Sequence, residues 1–238
     1  MTISKSTKRG YFPRDEHDFK GASLKKLSQA VMDVSWLMDH GYPRKSASVF
    51  VGNHYLLTAR QRLAMTRIVD STNAISMRQA KKEKNNTIAD KSVNIDGFNL
   101  IITLEVALSG SPVLKCMDGL FRDLAGLRGT YRLIDKTGKA VRLILLELHR
   151  LGVKQANFWL DAPVSNSGKL KTYIAKLAGE TRMNTNIEIV RNVDKVLYTL
   201  PRVISSDSIV LNECISWINL LENILPHIPN VWVIDVSA

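Results

Sequence analysis

Cysteine and histidine are scarce in this chain, and their scarcity narrows the chemistry first. The 238 residues hold two cysteines, Cys116 and Cys214, far apart in sequence. That excludes a disulfide framework and leads us to expect a reducing compartment, the cytoplasm. The five histidines, His17, His40, His54, His149 and His227, never approach zinc-ligand spacing. Long apolar runs are also missing. The greasiest stretch, Ile101 to Leu108, is interrupted by Glu105, so no membrane-spanning role is expected. The N-terminus is polar and lacks the apolar centre of a secretory signal. There is no Gly-x-x-x-x-Gly-Lys-Ser/Thr phosphate loop, no internal repeat and no low-complexity tract.

What is present is an ordinary soluble composition, 45% hydrophobic and 23% charged, with a net charge of +11. The charge is uneven. Residues 1–90 carry 16 Lys and Arg against 8 Asp and Glu, whereas residues 91–238 carry 17 against 14. A basic module beside a nearly balanced one suits a polyanion-binding part joined to another functional part. Solubility alone would explain the charge equally well.

The pattern divides the chain into a flexible basic arm (1–21), a helical basic module (22–85) and an α/β domain (90–238). In the module, Leu24, Leu27, Ala30, Val31, Val34 and Leu37 recur at helical spacing from Ala22 to His40, with Ser23 as N-cap and Gly41-Tyr42-Pro43 as the stop. Ser46 to Val51 and His54 to Val69 read as further helices, and Trp36 as a core residue. The polar run Lys81-Lys82-Glu83-Lys84-Asn85-Asn86 falls at the boundary, between about Ser76 and Asp90. Beyond it, strands are expected at Val93–Ile95, Pro112–Cys116, Val153–Leu160, Asn186–Val190, Val203–Ile204 and Val231–Val236, the last adding a buried Trp232 to the sheet. Helices are expected at Asn99–Leu108, Leu120–Leu127, Thr137–Leu151, Lys169–Ala178 and Cys214–Leu225. This alternation predicts a mainly parallel sheet with helices on both faces.

Aspartates close several of those strands. Asp96 ends the first, Asp161 ends Asn157-Phe158-Trp159-Leu160, and Asp207 follows Val203-Ile204-Ser205-Ser206; Asp194 precedes Lys195-Val196-Leu197. In a parallel sheet Asp96, Asp161 and Asp207 emerge at one edge, where converging carboxylates repel and a divalent cation relieves the repulsion. With no His or Cys beside them, such ligands suit Mg²⁺ or Mn²⁺. Any one of them alone reads as a helix N-cap; three at strand ends read as a site.

These residues carry a resemblance. Asp96-Gly97-Phe98-Asn99-Leu100-Ile101 resembles the Asp-Gly-Tyr-Asn-Leu-Ile opening of NYN nuclease domains in the PIN-like superfamily, and Val193-Asp194-Lys195-Val196-Leu197 and Ser205-Ser206-Asp207-Ser208-Ile209-Val210 resemble its later acidic segments. The chain as a whole also resembles an archaeal-type conserved family of unknown function with a helical N-terminal module. Over residues 92–238 the nuclease resemblance implies a three-layer α/β/α fold whose acidic pocket binds Mg or Mn and cuts RNA. It implies metal contacts from Asp96, Asp194 and Asp207, with Asn99 in support. Asp161 lies in a loop outside that pattern.

The remaining candidates would hold substrate. Ser165, Asn166 and Ser167 are placed to cap the helix beginning near Gly168, a site for a phosphate or an ordinary turn. In Asp118 to Arg132, Arg122, Arg128 and Arg132 would grip phosphates, Tyr131 would stack on a base and Asp118 would join the acidic pocket; equally, Asp123 would pair with Arg128 in a plain surface loop. In the module, Arg44 and Lys45, and Arg60 and Arg62, are phosphate contacts or a solvated face. The expectation is a metal-dependent nuclease acting on RNA, with Asp96, Asp161 and Asp207 catalytic. The alternatives are a non-catalytic nucleic-acid-binding protein and a nucleotide- or phosphate-ligand enzyme.

Overall fold

Apolar spacing sets the first elements, and caps set their ends. The structure, a computed structural model, describes residues 7–126 and 129–236. After the short α1 (Asp15–Asp18), helix α2 (Gly21–Asp39) turns Leu27, Ala30, Val31 and Val34 inward. Its cap position is Lys20, with no side-chain cap, so Ser23 lies inside the helix. Then follow α3 (Arg44–His54), α4 (Ala59–Ile68) and α5 (Thr72–Gln79). A capping box starts α4, with the Thr58 hydroxyl accepting from the Gln61 N–H and the Gln61 side chain accepting from the Thr58 N–H.

The α/β part runs β1 (Ser92–Asp96), α6 (Gly97–Leu108), β2 (Val113–Lys115), β3 (Phe121–Asp123), α7 (Thr137–Arg150), β4 (Gln155–Asp161), α8 (Ser167–Thr181), β5 (Thr185–Val190), α9 (Val193–Leu197), β6 (Val203–Ile204), α10 (Ser208–Glu213), α11 (Leu221–Ile224) and β7 (Val233–Asp235). The fold is mixed α/β. Its main sheet is parallel throughout, in the order β5-β4-β1-β6, with Ile95 opposite both Phe158 and Ile204. The chain winds outward from β1 through β4 to β5, then crosses to the other side of β1 for β6. The winding direction therefore reverses between β1 and β6, which is where an open α/β sheet forms a crevice at its carboxyl edge.

Val93, Ile95, Ala156, Phe158 and Leu160 pack against α6, α7 and α8 on one face. The other face alternates to polar residues. Asn157 Nδ2 and Trp159 Nε1 both donate to Asn94 Oδ1, at 3.2 and 3.3 Å. There α9 packs against β1, β4 and Trp159, while Asn186 and Glu188 of β5 stay exposed. The layering expected on both faces is thus complete on one and partial on the other.

A second small sheet, β3-β2-β7, pairs β2 antiparallel to β3 and parallel to β7. Several expectations are corrected here. Phe121–Asp123 is a strand where the sequence suggested a helix over 120–127, because Val113–Lys115 offers an edge to pair with. Val233–Asp235 joins this sheet and not the main one, and Trp232 is half-buried beside it. The helix expected over 214–225 is broken: Trp217 bridges to Lys82 and Val203, and helix resumes only at Leu221. Leu114, Cys116, Leu124, Ile234 and Val236 share one core with Leu27, Val31, Val34, Met65 and Ile68, so the small sheet binds the helical module into the α/β part. Residues 7–21 are docked, not a loose arm: Phe19 is core, Arg9 pairs with buried Glu105 at 2.6 Å, and Asp15 pairs with Arg60 at 2.8 Å. Trp36 points outward, 58% exposed.

Candidate acidic site at the sheet edge

Three of the four aspartates do reach the carboxyl edge of the main sheet from strand ends, and the fold then distributes them between two adjoining cavities. Asp96, Asp123, Asp161 and Asp194 line one of about 240 Å³ together with Phe98, Asn99 and Tyr131. Asp207 lines the other, about 280 Å³, with Arg44, Arg67, Asp70, Arg122 and Ser206. Arg67 and Asn99 line both. An acidic chamber therefore opens into a basic cleft across the β1/β6 crevice. Asp207 lines the cleft beside Asn99, and its charge acts on Asp194 in the neighbouring chamber.

Asp96 is the most constrained of the four. It ends β1, caps α6 by accepting from the Asn99 N–H at 3.4 Å, and accepts from the Ser205 hydroxyl at 2.8 Å. Burial pushes its carboxyl up to about 7; those two hydrogen bonds hold it down in part, and the charges of Asp161 and Asp194 raise it further. Burial also raises the Asp161 and Asp194 carboxyls, with Asp207 and Asp161 adding repulsion at Asp194. Asp161 Oδ1 accepts from the Val193 N–H at 3.3 Å, which fixes the α9 start beside β4. Gly97 explains why glycine follows Asp96: a Cβ there would lie 2.5 Å from Leu160 Cδ2 and 3.1 Å from the Trp159 carbonyl, so only glycine lets α6 start this close to β4. Asn99 Oδ1 accepts from both the N–H and the hydroxyl of Ser206, each at 2.9 Å, tying the β1 end to the β6 end and leaving its amide N–H groups as donors.

The expected substrate residues fare unevenly. Arg44 lines the cleft, paired with Asp70, while Lys45 beside it is exposed. Arg122 is spent internally, donating to Asp118, to the Ser206 carbonyl at 2.7 Å and to the Arg67 carbonyl at 3.0 Å. Asp118 is buried between Arg78 and Arg122 and is not in the acidic chamber. Tyr131 is buried, its hydroxyl donating to Glu105 at 2.8 Å, so it offers no ring face to a base. Asp123 accepts from the Thr103 hydroxyl and the Ala125 N–H. Arg60 and Arg62 bind protein carbonyls, Arg60 also Asp15. Arg132 is exposed at a separate hollow, and Arg128 lies outside the described residues. The 165–168 loop is no phosphate cradle: Ser165 binds the Tyr131 backbone, Ser167 donates to the Asp161 and Val164 carbonyls, and Asn166 sits at the cap position with no side-chain cap bond.

Two residues of the site escaped the sequence reading. Arg67 projects from α4 to both cavities, with Nη1 donating to the Asp123 carbonyl at 2.7 Å. Its spacing of seven from Arg60 was the available signal. Asp123 carried no signal once its segment read as helix.

The donor chemistry suits a hard divalent cation in kind, because the chamber offers carboxylates without His or Cys, while the Asn99 amide oxygen is already taken by Ser206. Among the described residues, however, no three such side chains stand together as a ready-made metal-holding group. The residues that would hold a cation are Asp96, Asp161 and Asp194, which line the same cavity; Asp207, whose charge also acts on Asp194, lines the adjoining cleft.

Together these features define a mixed α/β protein with an acidic chamber at the reversal point of a parallel sheet and a basic helical cap beside it. Residues 85–223 match the family described as "Domain of unknown function (DUF5616)", to which the chain belongs, and residues 26–81 match "Protein of unknown function (DUF434)". The uncharacterized protein MJ0935 of Methanocaldococcus jannaschii is 32% identical over 187 residues, covering 79% of this chain and 89% of that protein. No solved structure matches. Among the described residues, no helix is long and apolar enough to cross a membrane.

Proposed function

We propose that this chain is a Mg²⁺- or Mn²⁺-dependent nuclease of PIN-like type, acting on RNA in the cytoplasm. The observation that carries the reading is the junction of the two cavities: a chamber of mutually repelling carboxylates opens, through Asn99 and Arg67, into a cleft lined by arginines at the β1/β6 crevice. The likeness of Asp96 to Ile101 to the NYN opening supports it. Asp96, Asp161 and Asp194 would hold the cation, which when bound lowers the pKa of water and offsets charge on a phosphodiester. Arg67 and Arg44 would position the phosphates, with Arg67 keeping donors beyond the one given to Asp123. The Asn99 amide, held by Ser206, would donate to a phosphate oxygen between the cavities. Asp207, whose carboxylate accepts from the Ile209 N–H at 2.7 Å, would orient the basic side of the cleft and not ligate the cation held by Asp96. A mononucleotide reading centred on the 165–168 loop is disfavoured, because its hydroxyls are taken up by the protein backbone.

The test is cleavage of labelled single-stranded RNA with and without Mn²⁺. Asp96→Asn should abolish metal-dependent cleavage while RNA binding persists, since the variant removes a charge but keeps the cap geometry. Cleavage that continues undiminished in that variant would falsify the reading, and metal-independent binding without cleavage in the wild type would leave a binding protein on this fold.

A further inference from the structure

The helical module carries a groove that the catalytic reading does not use. It lies between α2 and α3, encloses about 280 Å³ and is lined by Asp33, Trp36, Leu37, Phe50, Val51 and His54. The spacing explains the lining. Asp33, Trp36 and Leu37 stand at i, i+3 and i+4 on α2, and Phe50 and His54 at i and i+4 on α3, so each helix turns one short stripe toward the other. None of the six lines the acidic chamber or the basic cleft. Phe50 is 69% exposed and Trp36 58%, so two aromatic rings of the groove are open to solvent. His40 stacks on one face of the Trp36 indole with ring centroids 3.9 Å apart, which holds that ring in place.

Asp33 sets the electrostatics of the groove. Its Oδ1 accepts from the Gln29 amide at 3.0 Å and its Oδ2 from the Tyr55 hydroxyl at 2.7 Å. Both donors are neutral. Among the described residues no lysine or arginine pairs with Asp33, and none lines the groove. The carboxylate is therefore oriented at both oxygens yet carries an uncompensated charge, with acceptor capacity to spare on each oxygen. This decides between occupants. An anion would meet Asp33 and find no counter-charge. A purely apolar chain would cover the carboxylate without a partner, which is costly. A cation pairs with the carboxylate and lies against ring faces, gaining from both. Arginine suits the groove best, because its planar fork addresses both oxygens of a carboxylate and its plane stacks on an indole. The exposed rings leave the groove too open to enclose a small molecule as a ligand pocket does. Phe50 is covered only if the cation arrives on a chain with apolar neighbours. Two copies of this chain, each with a net charge of +11, repel one another, which favours a partner of a different kind.

We infer that the α2–α3 groove receives an arginine side chain, flanked by apolar residues, from a segment of another protein. The guanidinium would pair with Asp33 and stack on Trp36, while an apolar neighbour would cover Phe50. The inference is independent of the nuclease reading. It gives the helical module a docking role on a surface that the acidic chamber and the basic cleft leave free.

The experiment is an NMR titration of the whole ¹⁵N-labelled chain at pH 8 with the blocked tripeptide acetyl-Leu-Arg-Phe-amide. The chain has four tryptophans, and the Trp36 indole signal is assigned by its loss in Trp36→Phe. The peptide should shift that signal saturably, with a Kd on the order of 1 mM. Asp33→Asn, which keeps an oxygen for the Tyr55 hydroxyl, should weaken binding about fivefold or more. Phe50→Ala should weaken it about threefold, with circular dichroism and Tm unchanged because the ring is exposed. The same peptide with glutamine in place of arginine should not bind measurably. The inference is overturned if the arginine peptide leaves the Trp36 signal unmoved, if the glutamine peptide binds as well, or if Asp33→Asn binds as wild type. Ethylguanidinium binding as tightly as the peptide would assign the groove to a small organic cation and overturn the partner segment. Self-association of the wild type on size exclusion, lost in Asp33→Asn, would assign it to a second copy and overturn it likewise.

Discussion

The Asp96 carboxyl is about half protonated at neutral pH because its folded value stands near 7 while the unfolded chain has an ordinary aspartate. Protons therefore favour the folded state at this position. Its contribution is complete below the unfolded value and is lost as pH rises through about 7. Without divalent cations, unfolding free energy should fall between pH 5.5 and 8 by about 1–4 kcal/mol. Asp96→Asn should remove that part of the slope. Urea titrations at the two pH values measure it, and equal slopes in both proteins would show that burial does not shift this group. Single residues were the most legible level of the site. Asp96 and Asn99 are read from the local string because a strand, a cap and a helix start fall within a few positions. Arg122 and Ser167 looked just as suitable, but the Ser206 and Asp161 carbonyls that take them up come from remote or folded-back backbone that spacing does not reveal.

Among the elements, those fixed by their own periodicity were readable and those fixed by a partner were not. Helix α7, with Ala140, Val141, Ile144, Leu145 and Leu148 inward and Gly152 beyond its end in the left-handed region, declares itself. Strand β3 exists only because β2 pairs with it, and the break around Trp217 exists because that ring is buried with its Nε1 donating to the Arg78 carbonyl at 2.7 Å. Helix α4 had a readable start in Thr58-Ala59-Arg60-Gln61 that went unused. Thr58→Ala should cost about 1 kcal/mol by urea denaturation and, since α4 carries Arg67, should weaken RNA binding slightly; no change in stability would mean the capping box contributes nothing. Gly97→Ala is the sharper test of the α6–β4 contact. The added methyl meets Leu160 and the Trp159 carbonyl, so a loss of about 1–3 kcal/mol is expected, and an unchanged Tm would contradict the close approach.

The whole molecule is knit through charge as well as through the shared core. Arg78 of α5, fully buried, pairs with Asp70 and with Asp118 of the β2–β3 connection; Asp118 pairs in turn with Arg122, whose Nε holds the Ser206 carbonyl. The helical module is thus linked to the strand end that carries the site. The sequence placed a boundary near residues 76–90 because composition changes there, yet composition says nothing about which side the small sheet packs on. The chain should therefore unfold in one transition, and a fragment beginning near residue 88 should expose the apolar face of the small sheet and bind a hydrophobic dye. Two separate calorimetric transitions would contradict this. Arg78→Met should cost about 3–5 kcal/mol, because it leaves buried carboxylates short of a partner.

The central claim is that carboxylates at the β1/β6 crevice hold a divalent cation, and calorimetric titration of Mn²⁺ into the apo chain at pH 8 tests it most directly. Saturable binding in the wild type, lost in Asp96→Asn, weakened in Asp194→Asn and retained in Asp207→Asn, is the expected result. Equal heats in wild type and Asp96→Asn, or no binding at all, would contradict it.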